Sequence, residues 1–301
     1  MQETKKIAKT ANPTAVNRAN YTKIPFCEEI VDAMGGEDKS FNLNKKWFWA
    51  KQQLQFLVSD YYKASMGILE GRYVSLDDAI KKVNPKAILE LGAGYLPRGM
   101  IVATKGTVDY NGNDNTQSSS IDMYVETDQS NIISDKKEIV EMIVPNYDKN
   151  KLKFSDLDVT KREDFDRISE LFVEDGKPIQ DIALIHEGVF FYFDKETQKQ
   201  VRDNIEYFID KYTEGKGVWI TPDFPYQLNG SYLCKRTRNL FENMGGKPWT
   251  TFSSDDEVES FLSESGMKVD FIDNSHHAGT LTTDEILKTK NIENKIYNIP
   301  K

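Results

Sequence analysis

The chain has 301 residues, and 39 lysine and arginine residues against 48 aspartate and glutamate residues give it a formal net charge of -9. The length is sufficient for a large core, while the negative charge excludes the broad basic surface that binds nucleic acid. The two cysteines and three histidines lack the spacing of a metal site, and no apolar stretch has the length of a membrane span or signal-peptide core. We therefore expect a cytoplasmic protein with a small-molecule substrate, no metal, and no nucleic-acid or membrane partner.

The N-terminal part of the chain has a helical pattern. Residues 1 to 21 are polar and have no strong period, and the pattern then predicts helices over 25–34, 45–69 and 76–83. Pro85 ends the last of these helices. We expect residues 1–84 to form a separate helical region, and residues 85–301 to form the main domain.

The pattern from residue 87 onward is an alternation of strands and helices. Strands are predicted at 87–91, 121–126, 152–155, 181–187, 217–221, 267–272 and 295–299. Helices are predicted at 97–104, 131–143, 161–173, 195–212, 231–243, 255–264 and 283–289, and the polar run 109–120 is predicted to be a long loop. This alternation predicts an α/β fold with a doubly wound, Rossmann-like sheet of seven strands, largely parallel and covered on both faces.

The first predicted strand ends in a glycine turn. Ile88, Leu89 and Leu91 are typical of a buried parallel strand, and Gly92 and Gly94 permit positive φ angles and close approach of a ligand to the backbone. The turn therefore predicts a bound nucleotide or nucleoside, although an ordinary strand-to-helix turn in an α/β protein would have the same pattern.

The residues around the turn discriminate between two cofactors. The dinucleotide fingerprint G-x-G-x-x-G requires a third glycine where this chain has Pro97, and the next glycine is Gly99. Glu90, two residues before the first glycine, would repel a pyrophosphate and attract the ammonium group of a ligand. These features favour S-adenosylmethionine over NAD.

Acidic residues lie at four successive predicted strand ends. They are Glu90, then Glu126 and Asp128, then Asp156 and Asp158, and last Glu187. Because the carboxyl ends of parallel strands meet at one edge of the sheet, these carboxylates are predicted to surround one ligand. A carboxylate of the second group can accept both ribose hydroxyls, and one of the third can lie near the adenine amino group. Taken singly, each is more typical of a solvated strand end or a helix cap than of a ligand contact. Four in order, at the spacing of successive βα units, indicate a binding site.

Several short motifs resemble those of known methyltransferases. An acidic residue followed by x-G-x-G resembles the first motif of the class I methyltransferases, which implies that Gly92, Ala93 and Gly94 cradle the amino-acid part of the cofactor. Glu187-Gly188-Val189 with the following aromatics and Tyr192, Glu126-Thr127-Asp128, Thr14-Ala15 and Arg18-Ala19 together resemble the leucine carboxyl methyltransferase family and its bacterial relatives linked to polyketide biosynthesis. That family commonly has an aspartate and small hydroxyl residues where this chain has Leu96-Pro97-Arg98.

The resemblance implies roles for individual residues. It places Arg18 on the carboxylate of the cofactor, Asp128 on the ribose, Asp156 and Leu157 beside the adenine, and Glu187 at the closed end of the pocket. It also implies that residues 1–84 form a lid over the cofactor, which would keep water from the methyl group.

Two residues are candidates for the chemistry. A carboxylate acceptor is ionised at neutral pH and needs no base, whereas a hydroxyl acceptor needs one, and His186 beside Glu187 is the candidate. Tyr192 and its aromatic neighbours can offer ring faces to a sulfonium. The expected activity is O-methylation of a small molecule. A non-catalytic S-adenosylmethionine-binding protein or partner subunit, and an NAD-dependent reductase, are the alternatives.

Overall fold

A computed structural model describes residues 14–19, 22–35, 60–108, 121–174, 176–224, 248–267, 271–275 and 294–300, together with residues 239 and 242. Three predicted segments lie outside these residues: the loop 109–120, the helix 283–289, and residues 45–59 of the long N-terminal helix. Most of the predicted helix 231–243 also lies outside them.

The centre of the protein is a mixed sheet. Its strands are β1 (Ala87–Leu91), β2 (Met123–Asp128), β3 (Leu152–Asp156), β6 (Ile182–His186), β7 (Val218–Thr221), β8 (Phe271–Ser275) and β9 (Asn294–Pro300), while β4 (Val173–Glu174) and β5 (Lys177–Pro178) form a separate antiparallel hairpin. The order in the sheet is β3-β2-β1-β6-β7-β9-β8. The first five of these pair in parallel, and β9 runs antiparallel to both of its neighbours. The prediction of an α/β fold with a central parallel sheet is confirmed.

Helices connect the strands. They are α1 (residues 14–19), α2 (Cys27–Gly35), α3 (Asp60–Val83), α4 (Arg98–Lys105), α5 (Ser130–Ile143), α6 (Arg162–Ser169), α7 (Lys195–Tyr212) and α8 (Asp255–Ser263). Two helices begin after a capping side chain. Asp194 accepts the Thr197 N–H at the start of α7, and Ser254 accepts the Glu257 N–H at the start of α8. Helix α4 ends at Gly106, whose φ of 81° is the left-handed conformation that glycine adopts readily.

Two predicted helices differ from the structure. Helix α3 runs without interruption through residues 70–75, where the sequence suggested a break between two helices. Helix α6 ends at Ser169 and not at 173, because the chain turns there into the β4–β5 hairpin, which the sequence pattern did not predict.

The sheet separates two buried clusters. Leu89 and Leu91 of β1 face a cluster with Phe208 and Trp219, whereas Ile88 faces the opposite cluster together with Ile80 of α3. This alternation follows from the two-residue period of a strand. Since each buried aliphatic side chain contributes about 1.5–3 kcal/mol, both faces stabilise the sheet, and the C-terminal part of α3 belongs to its core. No helix in the described part of the chain is long and apolar enough to span a bilayer.

Candidate functional site

A cavity of about 490 Å³ lies at the carboxyl edge of the parallel strands. Its lining includes residues 92–96 after β1, 128–130 at the end of β2, 156–159 at the end of β3, and 187–189 after β6. This is the edge at which doubly wound sheets bind their ligands. Within the described residues, no group of three or more histidine, cysteine, aspartate or glutamate side chains is arranged to hold a metal ion.

The glycine turn forms one wall of the cavity. Gly92 and Gly94 have φ angles of 65° and 49°, as the sequence predicted. A Cβ atom on Gly92 would overlap Cγ2 of Val189, which follows β6. The Ala93 N–H donates to the carbonyl of Thr127 at 2.9 Å, which ties the turn to β2. A backbone surface without side chains therefore faces the cavity.

Asp128 lies beside this turn at the end of β2. Its Oδ2 accepts the Gly94 N–H at 2.8 Å, and its Oδ1 accepts the Gln129 N–H at 2.7 Å. Burial raises the pKa of Asp128, although both N–H donors act in the opposite direction. The carboxylate lines the cavity and retains lone pairs that can accept ligand hydroxyls.

Arg18 and Glu187 meet across 169 positions of sequence. Arg18 Nη2 donates to Glu187 Oε1, and both side chains are buried and line the cavity. Two further guanidinium groups surround the same carboxylate: Arg72 Nε lies 3.8 Å from Oε1, and Arg98 Nη2 lies 3.6 Å from Oε2. Arg72 also lines the cavity. The sequence analysis did not select Arg72, because this residue lies within a helix and belongs to no recognisable motif.

The structure does not bring Glu90 to the cavity. Its Oε1 accepts from Arg98 Nη1 at 2.7 Å and its Oε2 accepts from the Tyr124 hydroxyl at 2.9 Å, beneath the glycine turn. Arg98 also donates to Asp77 of α3 at 2.6 Å. Glu90 is therefore part of a buried network that joins β1, α3 and α4, and it does not line the cavity in which a ligand ammonium was expected.

Glu126 is also directed away from the cavity. Its Oε2 lies 2.8 Å from Lys136 Nζ, and its Oε1 accepts the Gly99 N–H at 3.1 Å at the start of α4. Burial raises the pKa of Glu126 to about 7, against the lowering effect of Lys136. Of the two acidic residues at the end of β2, only Asp128 lines the cavity.

Residues at the end of β3 also line the cavity. Asp156, Leu157 and Asp158 all line the cavity, and Leu157 is buried whereas the two aspartates are exposed. Asp156 Oδ1 accepts from Arg167 at 3.3 Å, and Asp158 Oδ1 accepts from the Thr160 hydroxyl at 2.7 Å. An apolar side chain between two carboxylates suits a flat, partly polar ligand group.

His186 is a core residue in this structure. Its Nδ1 lies 3.0 Å from Asp223 Oδ2, its ring stacks on Phe190 at 5.7 Å, and it is not part of the cavity lining. The structure therefore does not place it where a base would contact a substrate. Tyr192, by contrast, lines the cavity together with Trp249, which the sequence analysis did not select because it lies far along the chain.

Asp223 fixes the turn after β6. Its carboxylate accepts the N–H groups of Gly188, Val189 and Phe190 at 2.8, 2.7 and 3.0 Å, and it pairs with Arg72. Burial acts to raise the pKa of Asp223, but Arg72, His186 and the N–H donors outweigh it and hold this pKa well below the usual range.

Comparisons with known proteins give structural likeness only. No family model matches the sequence, and no curated protein matches it significantly. A solved DUF574 family protein from Streptomyces avermitilis is 11% identical over 95% of this chain and 99% of that chain, with a TM-score of 0.55. PigF with SAH is 14% identical over 92% and 70% of the two chains, with a TM-score of 0.48. LepI in complex with SAM has 9% identity and a TM-score of 0.42, over 71% of this chain and 42% of the LepI chain. The chain thus spans about two fifths of LepI, and at these identities the likeness shows the fold alone.

Proposed function

We propose that this chain is a class I methyltransferase that uses S-adenosylmethionine to methylate an oxygen atom of a small molecule. One observation carries the proposal: the positive-φ glycine turn, the Asp128 carboxylate and the Arg18–Glu187 pair line a single cavity. The seven-stranded sheet with its antiparallel β9 agrees with the class I resemblance of the sequence. The leucine carboxyl methyltransferase family is the branch that the motifs favour.

The polar atoms at the closed end of the cavity suit an amino acid. Arg18 Nε, Arg72 Nε and Glu187 Oε2 are buried and form no hydrogen bond within the described residues. A zwitterion offers a carboxylate to the two guanidinium groups and an ammonium to Glu187, which would supply hydrogen bonds to buried donors and acceptors that are costly to leave without them. In this proposal Glu187 replaces Glu90 as the ammonium partner.

The remaining contacts follow from the lining. Asp128 is assigned to the ribose hydroxyls, and Asp156, Leu157 and Asp158 are assigned to the adenine. Gly92, Ala93 and Gly94 present backbone to the amino-acid chain, where any side chain on residue 92 would overlap Val189. Residues 14–19 line the cavity through Thr14, Ala15 and Arg18, and we assign residues 1–84 as the lid and residues 85–301 as the binding core.

The protein's chemical task in this reaction is positioning and exclusion of water. When bound, the cofactor supplies a methyl group that its sulfonium already activates, so the side chains need only align an acceptor and keep the site dry. His186 is buried away from the cavity. An acceptor that is ionised at neutral pH, such as a carboxylate with a reference pKa near 4, fits this arrangement better than a hydroxyl that requires a base.

Calorimetry and turnover together test the proposal. We expect S-adenosylmethionine and S-adenosylhomocysteine to bind the full chain, NAD not to bind, and S-adenosylhomocysteine to accumulate with some members of a panel of carboxylic acids and phenols. Binding without turnover on the whole panel would favour the non-catalytic binding protein. Binding of NAD with no response to either sulfur nucleoside would favour the reductase and overturn the proposal.

A further inference from the structure

Three aromatic side chains form part of the cavity lining. Phe191, Tyr192 and Trp249 form a buried cluster separate from the two clusters that cover the sheet, and all three line the cavity. The ring centroid of Phe191 lies 4.1 Å from that of Trp249 and 4.8 Å from that of Tyr192. Tyr192 and Trp249 meet edge to face at 6.1 Å. We call these three residues the aromatic wall.

The aromatic wall adjoins the glycine turn. Val189, which a Cβ atom on Gly92 would strike, precedes Phe191 by two residues and also lines the cavity. If the turn cradles the amino-acid chain and Asp128 holds the ribose, the sulfonium between those two parts lies close to the aromatic wall. A methyl acceptor must approach the sulfonium in line, so the wall is located where the acceptor would sit.

The wall distinguishes ligands by shape and ring face, because none of its three side chains carries a formal charge. The guanidinium group of Arg72 lies 5.7 Å from the Phe191 ring centroid and is already paired with Asp223. Aromatic rings pair with one another in offset and edge-to-face arrangements that contribute about 0.5–1.5 kcal/mol beyond simple burial.

A single buried side chain joins the two segments that make the wall. Gln198 of α7 donates from Nε2 to the carbonyl of Phe190 at 3.1 Å and to that of Thr250 at 3.2 Å. The Thr250 N–H in turn donates to the Phe191 carbonyl at 3.0 Å. Both N–H groups of this amide are thus used to hold the chain on either side of the rings. Removing them would break both contacts, although the Phe190 carbonyl would still accept the Phe193 N–H at 3.2 Å.

We propose that the aromatic wall is the acceptor subsite, that it takes a flat aromatic small molecule, and that Gln198 is a positioning residue that sets the distance between Phe191 and Trp249. The proposal rests on the proposed function and adds the class of acceptor to it. It selects an aromatic acid over an aliphatic acid of the same charge.

Two probes of equal charge test the acceptor class. Calorimetry would measure 2-naphthoate and its saturated counterpart decahydro-2-naphthoate against the full chain saturated with S-adenosylhomocysteine. We expect the flat acid to bind at least tenfold more tightly. Equal affinities, or no binding of the flat acid, would overturn the acceptor proposal while S-adenosylhomocysteine binding still upheld the proposed function. No binding of S-adenosylhomocysteine would overturn both.

Matched variants then test the named residues. Trp249→Ala should weaken 2-naphthoate binding at least tenfold and leave the affinity for S-adenosylhomocysteine within twofold, whereas Tyr207→Ala, outside the cavity, should change neither. Retained S-adenosylhomocysteine affinity also shows that each variant is folded. Unchanged 2-naphthoate binding by Trp249→Ala would contradict the subsite.

The role of Gln198 has its own readout. Gln198→Leu should weaken 2-naphthoate binding at least threefold and shift the fluorescence emission of Trp249. The Trp249 emission is obtained by subtracting, from the spectrum of each chain, the spectrum of the same chain carrying Trp249→Phe. Gln200→Leu, two residues along the same helix and exposed, is the control and should leave both unchanged. If Gln198→Leu keeps both the affinity and the Trp249 spectrum of the original chain, the positioning role is wrong.

Discussion

An alanine at position 92 would clash with the side chain of Val189. Gly92 combines a positive φ with a Cβ position that overlaps Val189, so Gly92→Ala adds steric overlap to a backbone strain of about 1–2 kcal/mol. We expect the variant to be less stable in urea and to bind S-adenosylhomocysteine at least tenfold more weakly by calorimetry, because the turn must move.

Gly215 provides the matched control for this prediction. It has a similar φ of 71°, but a Cβ atom there would meet nothing within 4 Å. Gly215→Ala should therefore show a comparable loss of stability from strain with no loss of affinity. If both variants lose affinity equally, general destabilisation and not the glycine turn is responsible.

Asp128 is predicted to have two roles, in holding Gly94 and in binding ribose. Asp128→Ala removes charged acceptors from two hydroxyls, each such hydrogen bond contributing on the order of 1.5–3 kcal/mol. We expect calorimetry to show at least a tenfold weaker affinity for S-adenosylhomocysteine, with the circular dichroism spectrum retained. The exposed Asp135 supplies the control Asp135→Ala. An unchanged dissociation constant would place the ribose contact elsewhere.

The low pKa of Asp223 predicts a pH dependence of stability. Its folded-state pKa lies below the unfolded value of about 3.8, so its contribution is fully present above that value and is lost as the pH falls through the folded pKa. Asp223→Asn removes the carboxylate that pairs with Arg72 Nη2 and leaves only the more distant Glu187 carboxylate, which should cost about 3–5 kcal/mol at pH 7. Urea titrations from pH 3 to 7 should show a shallower acid slope for the variant. If the free energy of unfolding falls equally steeply with decreasing pH in both chains, Asp223 does not have the proposed low pKa.

At the scale of elements, helix α3 is joined to the sheet by ion pairs between side chains as well as by apolar packing. Arg98 lies buried between Asp77 of α3 and Glu90 of β1. Replacing it with methionine leaves two buried carboxylates unpaired, and we expect Arg98→Met to lower the free energy of unfolding by about 3–5 kcal/mol in urea titrations.

Arg162 is the control for the Arg98 prediction. Its guanidinium lies 4.5 Å from the Tyr207 ring centroid on the surface, and an exposed cation–π contact contributes about 0.5–1 kcal/mol. Arg162→Met should therefore cost far less than Arg98→Met. A loss of under 1 kcal/mol for Arg98→Met would show that the buried network does not stabilise α3.

The elements differ in how well the sequence predicted them. Strands β1 and β6 were predicted within one residue at each end, since uninterrupted apolar runs mark buried parallel strands. Strand β2 begins and ends two residues later than predicted, because Thr127 and Asp128 continue its pairing with β1 and β3 despite their polar side chains. At the start of the strand predicted over 267–272, Met267 is buried beside the end of α8 and not in a strand. The described part of β8 is Phe271–Ser275, and residues 268–270 lie outside the described residues.

At the scale of the whole molecule, the sequence predicted which edge of the sheet holds the cavity better than it predicted which side chains line that cavity. The order of strand ends was sufficient to bring Asp128, Asp156 and Glu187 to one cavity. The sequence could not show that Arg98, eight residues after Glu90, turns back to pair with it. The sequence pointed to Tyr192 and its aromatic neighbours but not to Trp249, which meets Tyr192 only through a tertiary contact.

The N-terminal segment provides the last prediction, because Arg18 is the one residue through which it reaches the Glu187 carboxylate in the described part of the chain. Deleting residues 1–21 opens the cavity along Thr14, Ala15 and Arg18. Glu187 would keep Arg72 and Arg98 within 3.8 Å. We therefore expect the melting temperature of the cofactor-free protein to fall only slightly, while affinity for S-adenosylhomocysteine falls at least tenfold and turnover is lost as water enters.

Arg18→Lys distinguishes the effect of the Arg18 guanidinium group from the effect of the N-terminal segment as a lid. Lysine keeps the charge but cannot form the two-pronged contact with a carboxylate, so this variant should lose affinity for S-adenosylhomocysteine and retain part of the turnover at saturating cofactor. The deletion should lose both, because it removes the cover as well as the contact. If the shortened chain binds S-adenosylhomocysteine as tightly as the full chain and turns over equally fast, neither Arg18 nor the lid has the proposed role.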